Sequence, residues 1–352
     1  MNARKALLIR TDASTTIGTG HVMRCLALAE GWQNFGGNVC FVLATASPLL
    51  ELRMKREGFD VTHITAEPGS VNDAVATSRI AHLNNIGWIV VDGYQFGGDY
   101  QKIIKDYGHF LLVLDDFGHA DHYYADIVLN QNIYSDISLY PKHESFTLFL
   151  LGTKYVLLRK EFLLWTEYKR IIPDVARKVL VTLGGSDPNN ATGIIIEALK
   201  CINLNGLEVV IVVGGLNSHS ALLQKMVTDY PNFSIRTNVE NMPELIVWAD
   251  IAISAGGTTC WELAFLGLPT ILYPIAENQL INSAFLNRAG IAWNIKNNYH
   301  SENDLVIAIS KCLKSYEGRT RMSEICQKTV DGKGTQRVIN TILDNSNFKV
   351  KK

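Results

Sequence analysis

Short apolar runs alternate along this chain with amphipathic stretches of helical period. In the first half the runs fall at Ala6–Ile9, Val39–Leu43, Val61–Ile64, Trp88–Asp92, Phe110–Asp115 and Ile127–Leu129. In the second half they fall at Val179–Leu183, Leu207–Val213, Phe233–Ile235, Ile251–Ser254 and Thr270–Tyr273. Such alternation predicts an α/β fold with mainly parallel, doubly wound sheets. Runs that are apolar almost throughout, such as WIVVD and FLLVLD, suit strands buried on both faces. Between the halves, residues 155 to 177 mix apolar and basic positions, and Pro173 precedes a fresh strand. The pattern therefore predicts an N-terminal α/β domain over residues 1–165, a linker over 166–177 and a C-terminal α/β domain over 178–352. The closing stretch GKGTQRVINTILD reads as an amphipathic helix whose Val338, Ile339, Ile342 and Leu343 are a candidate face for packing back on the first domain.

Length agrees with two domains, since 352 residues exceed a usual single core. Charge narrows the partners. With Lys+Arg 33 against Asp+Glu 34, the net charge of -1 gives no basic field for nucleic acid, so any anion must be met locally. No apolar segment reaches membrane-spanning length, and the first residues run directly into a strand, so a cytoplasmic protein is expected. The 6 cysteines contain no C-x-x-C pair and read as reduced packing residues. Cys260 lies in a glycine-rich stretch, but no base accompanies it, so the packing role is preferred there too.

The candidate chemistry gathers at strand ends, where ligands of open α/β sheets bind. Ile9 to Ala29 runs from a strand through a polar loop into a helix. Gly18 and Gly20 permit close backbone approach, and the helix N-terminus favours an anion beside His21. Arg24, three residues on, is a candidate for holding phosphate or carboxylate. Asp92, Gly93 and Tyr94 follow one strand; Asp115 and Asp116 follow another and read as a turn cap. The cluster of His119, Asp121, His122 and Asp126 has ligands suited to a divalent ion, yet its turn-like setting favours loop hydrogen bonding, and no metal is assigned.

In the second half, LGGSDPNNAT and SAGGTTCWELAFLGLP each follow a strand and enter a helix. Gly184, Gly185, Ser186, Gly256, Gly257 and Thr258 are candidate phosphate donors. Neither loop ends in the Gly-Lys-Ser/Thr of a P-loop, and Gly18-Thr19-Gly20 lacks the third glycine of a dinucleotide fingerprint. Glu262 is placed to accept from a ribose, and Asn278 and Gln279 offer amides beyond the next strand. The constellation suggests a nucleotide diphosphate.

Taken together, RTDASTTIGTGHVMRC, VVDGY, LDDFGHADHYYADIVLNQN, YVLLRKEF, LGGSDP, SAGGTTCWELA and ENQ resemble, in order and over most of the chain, the pseudaminic acid pathway UDP-sugar hydrolases and their spore-coat polysaccharide relatives. The resemblance implies the glycosyltransferase-B fold, two Rossmann-like domains facing a cleft. It implies hydrolysis of UDP-2,4-diacetamido-2,4,6-trideoxy-β-L-altropyranose by inverting water attack at the anomeric carbon, independent of metal and cofactor. His21 matches the family's catalytic histidine and Tyr94 its sugar-facing tyrosine. The second-half loops also resemble those of the peptidoglycan N-acetylglucosaminyltransferases, in which the residue matching Glu262 contacts the UDP ribose. A UDP-sugar-dependent transferase and a non-catalytic UDP-sugar binding protein stay open as alternatives, as do the amino sugar, the nucleotide and the oligomeric state.

Overall fold

The run Trp88–Asp92 is buried at every position and forms the middle strand of a seven-stranded parallel sheet. The structure is a computed structural model and describes residues 6–13, 19–237, 239–295 and 302–348. In chain order the first part contains β1 (Ala6–Thr11), α1 (Gly20–Asn34), β2 (Asn38–Leu43), α2 (Pro48–Arg56), β3 (Asp60–His63) and α3 (Val71–Leu83). Then come β4 (Trp88–Asp92), α4 (Gly98–Asp106), β5 (Phe110–Leu114), β6 (Ile127–Asn130), β7 (Leu148–Leu151) and α5 (Lys160–Leu163). The second part contains β8 (Lys178–Thr182), α6 (Ala191–Lys200), β9 (Glu208–Val213), α7 (Ser220–Val227), β10 (Phe233–Thr237), α8 (Met242–Trp248) and β11 (Ile251–Ser254). It continues with α9 (Thr259–Phe265), β12 (Thr270–Leu272), α10 (Glu277–Arg288), β13 (Trp293–Asn294), α11 (Glu302–Lys314), α12 (Tyr316–Thr329) and α13 (Gly334–Phe348).

The chain divides into two compact units. One contains residues 21–160 and returns from Gly332 onward; the other spans Glu161–Asp331. The first sheet has the order β3-β2-β1-β4-β5-β6-β7 and the second β10-β9-β8-β11-β12-β13, with every pairing parallel. In both sheets the strand order reverses once, between β1 and β4 and between β8 and β11. That reversal opens a crevice beyond the strand ends where a ligand can sit.

In the first unit the register sets Trp88 opposite Phe110, and their rings stack with centroids 5.0 Å apart. One sheet face packs against α1 through Val22, Cys25, Leu26, Ala29 and Trp32, joined by Val338, Ile339 and Ile342 of α13. Each of those three α13 side chains is fully buried, worth about 2 kcal/mol apiece. The other face packs against α3 and α4 through Ala74, Ala81, Tyr100 and Ile104. Two glycines seat α13: a Cβ on Gly31 would meet Thr335 Cγ2 at 2.5 Å, and one on Gly334 would collide with the Val156 carbonyl.

The strands β7 and β13 were not among the runs expected from the sequence. Residues 166–177, expected as a linker, lie along the second unit. Arg170 donates to the carbonyls of Ile246 and Ala249, both at 2.7 Å, and of Leu266 at 2.9 Å, which end α8 and α9. Gln327 and Arg319 donate to the Tyr168 and Asp174 carbonyls.

Candidate active site

The first unit brings its candidate residues to the crevice beside β1 and β4. His21 stands in the first turn of α1, which follows β1, while Asp92 closes β4. The His21 Nδ1 lies 2.5 Å from Asp92 Oδ1, and the ring is 8% exposed. With Nδ1–H donated to the carboxylate, Nε2 is the acceptor of the ring. Asp92 also receives Arg24 Nε and Nη2, each at 2.7 Å. Burial alone would raise the Asp92 carboxyl, but Arg24 and His21 outweigh it and hold the group well below the usual carboxylate range.

Arg24, a candidate for holding phosphate or a carboxylate, lies buried between two carboxylates of this chain and donates to Asp116 Oδ1 at 2.8 Å as well as to Asp92. Asp116, in the loop after β5, also accepts from Tyr94 OH and Asn132 Nδ2, both at 2.8 Å. Burial opposes its charge, and Arg24 lowers its carboxyl below the ordinary value all the same. Tyr94 therefore donates its proton inward, while its ring meets His21 edge-on at 5.0 Å and 83° and packs on Phe117 at 4.9 Å.

Beneath this layer Asp115 accepts the backbone N–H of Phe117 at 2.7 Å and of Gly118 at 2.8 Å, together with the Tyr123 hydroxyl, and lies 3.0 Å from His119 Nδ1. These bonds fix the loop that presents Asp116 and Phe117. The other members of the sequence cluster go to separate partners: Asp121 to the Gly98 N–H, His122 to Glu144, and Asp126 to Lys105 and the Leu111 N–H. Among the described residues no group of three or more such side chains is arranged around a metal.

The second unit places its glycine loops at its own crevice, after β8 and β11. Gly184 and Gly256 both have positive φ, of 95° and 93°, and a Cβ on Gly256 would strike Ser283 Oγ. Asn282 Nδ2 donates to the Gly256 carbonyl at 2.9 Å and so fixes that loop against α10. The N-terminus of α6 is already capped: Asp187 accepts the N–H groups of Ala191 and Thr192, both at 2.8 Å. Gly184, Gly185 and Ser186 lie ahead of that cap, between β8 and α6. Gly257, Thr258 and Glu262 are half-buried around the start of α9, and Gln279 accepts the Ile275 N–H at 2.9 Å. Gly20 opens α1; Gly18 lies outside the described residues, as does the side chain of Asn278.

Sequence reasoning left three contributors unassigned. Asp92 and Asp116 were visible only as strand-end acids. Gly214, after β9, has no room for a side chain, since a Cβ would lie 2.5 Å from Gly185 Cα, and Leu216 N–H bonds to the Gly185 carbonyl at 3.1 Å. The signal for it was a glycine pair directly after an apolar strand.

Two sheets with this order and these loop positions match solved structures along nearly their whole length. Acinetobacter baumannii MurG superposes with a TM-score of 0.64 over 96% of this chain and 99% of that one, at 17% identity. The fold is glycosyltransferase-B. Within this glycosyltransferase-B chain, residues 179–338 match the glycosyltransferase family 28 C-terminal domain. An uncharacterized protein of Methanocaldococcus jannaschii is 28% identical over 289 residues, 78% of this chain and 56% of that protein. The Bacillus subtilis spore coat polysaccharide biosynthesis protein SpsG is 26% identical over 63% of this chain and 65% of its own length. The chain thus spans less than two thirds of these two relatives. The Campylobacter jejuni UDP-2,4-diacetamido-2,4,6-trideoxy-beta-L-altropyranose hydrolase is 24% identical over 81% of this chain and 97% of that protein. Among the described residues no helix is long and apolar enough to cross a membrane.

Proposed function

We propose that this glycosyltransferase-B protein is a nucleotide-sugar hydrolase, releasing UDP and a free 2,4-diacetamido-2,4,6-trideoxy hexose for a surface glycan such as pseudaminic acid. The observation that carries the reading is the His21 Nδ1 to Asp92 contact at 2.5 Å, which orients the ring as a base. In the reaction the water oxygen attacks the anomeric carbon from the face opposite the nucleotide. His21 Nε2 takes the water proton, and the bond from carbon to phosphate oxygen breaks with its electron pair going to UDP. Asp92 stabilises the imidazolium that forms, as in other base dyads. Tyr94 flanks the ring as part of the wall around the sugar.

In this reading Gly184, Gly185, Ser186, Gly256, Gly257 and Thr258 stabilise the charge developing on the diphosphate with their donors, Glu262 accepts from the ribose, and Asn278 and Gln279 bind the sugar side of the nucleotide. No metal or cofactor is assigned. The reading is supported by the likeness to the Campylobacter jejuni hydrolase across nearly all of that protein's length. A UDP-sugar-dependent transfer to an acceptor is the second reading, favoured by the family 28 match over residues 179–338; a base at His21 serves an acceptor hydroxyl equally well.

The test is release of UDP and sugar from a panel of UDP-linked amino sugars with no acceptor, comparing the intact chain with His21→Ala. Stoichiometric release that the substitution abolishes, with UDP binding retained, is the expected outcome. Release only after an acceptor is added makes the protein a transferase. Binding without any turnover makes it a carrier, and release indifferent to the substitution removes His21 from the chemistry.

A further inference from the structure

The helix α10 reverses the usual order of its two faces. On the inward side Asn282 and Ser283 are buried beside Leu286, and the Asn282 amide holds the Gly256 carbonyl. On the outward side Leu280 is 38% exposed, Ile281 51% and Phe285 38%, with Ala284 exposed among them. At about 100° per residue these side chains share one stripe of the helix with Glu277 in its first turn and Arg288 in its last, both exposed. Single apolar side chains at a surface are ordinary. A contiguous set on one helix face is a patch with a use.

The stripe is complementary to itself. When a second α10 runs antiparallel to the first, with the midpoint between Asn282 and Ser283, one register sets Leu280 opposite Phe285, Ile281 opposite Ala284 and Glu277 opposite Arg288. A twofold axis then makes each of these pairings twice. The bulky Ile281 meets the small Ala284, ion pairs close both ends, and the two helix dipoles oppose favourably. The Arg288 guanidinium already lies over the Phe285 ring, 5.3 Å from its centroid, and so extends along the stripe. We infer that the outer face of α10 is a self-association surface, paired antiparallel with the same face of a second copy of this chain. Its one acid and one base cancel, whereas an anionic membrane selects a basic face. The net charge of -1 leaves little repulsion between two copies. A single helix pair is a small interface, so the dimer is of the transient, concentration-dependent kind. The inference stands apart from the chemistry assigned to His21. It meets the candidate site through Asn282, because pairing on the outer face braces the helix whose inner face holds the Gly256 loop.

The test is sedimentation velocity of the full chain from about 1 to 100 μM, where a shift from monomer toward dimer is expected. Glu277→Arg sets an arginine against Arg288 of the second copy, and Arg288→Glu sets a glutamate against Glu277. By symmetry each change turns two attractions into two repulsions and is expected to weaken association about tenfold. An equimolar mixture of the two variants restores both ion pairs, the new arginine facing the new glutamate and the native arginine the native glutamate. That mixture is expected to associate as the intact chain does. Ile281→Ser, which removes apolar contact and no charge, is expected to leave monomer throughout. All three changes lie at exposed positions and leave the core untouched. An intact chain that stays monomeric, or a dimer indifferent to all three changes, would overturn the proposal. So would a mixture no tighter than either variant alone, since that rescue belongs to antiparallel pairing of α10 with itself. Flotation with phosphatidylglycerol vesicles that Ile281→Ser abolishes, without self-association, would overturn it in favour of a membrane surface.

Discussion

Replacing Asp92 by Asn changes two oxygens into an oxygen and an amine with almost no change of shape, in a side chain that is 0% exposed. The carboxylate accepts three strong bonds, from His21 Nδ1 at 2.5 Å and from Arg24 Nε and Nη2 at 2.7 Å each. An amide satisfies only part of this set. With its oxygen toward His21 and Nη2, its amine faces Arg24 Nε, donor against donor. Turned the other way, the amine faces Nδ1 and drives the ring into the tautomer protonated on Nε2, which cannot take a proton from water. Each lost charge-assisted bond is worth about 1.5–3 kcal/mol, and a wrong tautomer in a related base dyad costs about four orders of magnitude in rate. The expected result is a fall in kcat of about 100- to 10,000-fold, with a stability loss of about 3 kcal/mol as Arg24 loses its principal partner. Initial rates of UDP release at saturating substrate measure the first, and urea unfolding the second. The pH dependence has a defined sign. Because the Asp92 carboxyl is held below its unfolded value, its contribution to stability is full above the ordinary carboxylate range and is lost as pH falls below it. The gap between intact protein and variant therefore narrows in acid. A variant that retains rates within a few-fold of the intact protein, or a gap that widens in acid, would refute the dyad.

Two further changes probe the scaffold. Arg170→Met removes the donor of three carbonyl bonds at the ends of α8 and α9 and is expected to lower stability by about 3 kcal/mol in denaturant unfolding; a loss under 1 kcal/mol would mean those carbonyls find other partners. The Asp115 carboxyl, although burial pushes it up, is brought down to about 2 by His119, Tyr123 and the Gly118 N–H. Asp115→Asn should therefore cost about 2 kcal/mol above pH 4, with the difference from the intact protein vanishing as pH falls toward 2. A difference independent of pH would assign the effect to packing.

Much of the architecture was legible because parallel strands buried on both faces must be continuously apolar, and WIVVD, FLLVLD and the matching runs of the second half are. Strand β7 was missed because Leu148–Leu151 follows a long irregular stretch with no periodicity to announce it, and β13, with 2 residues, is too short to carry a pattern. The site was legible in part. Residue type and position singled out His21, Tyr94 and the glycine loops as candidates, and the structure brings the rings of His21 and Tyr94 together beside β4. What the sequence could not convey was direction. Helical spacing leaves both solvent and interior open to Arg24, three residues after His21; only the sheet order, which sets β1 beside β4 and β4 beside β5, puts Asp92 and Asp116 within its reach. Asp187 was hidden for a similar reason, because its left-handed backbone, with φ of 44°, is what turns its carboxylate onto α6.

The packing of α13 gives the chain an order of assembly. The strands of the first unit precede the second unit in the chain, yet the core between its sheet and α1, which holds Leu26 and Trp32, is completed by Val338, Ile339 and Ile342 of α13, which follow the whole second unit. A growing chain can complete the second core while the first still has an apolar seam uncovered. The seam persists until α13 leaves the ribosome, and for that interval the nascent first unit presents an apolar surface suited to a chaperone.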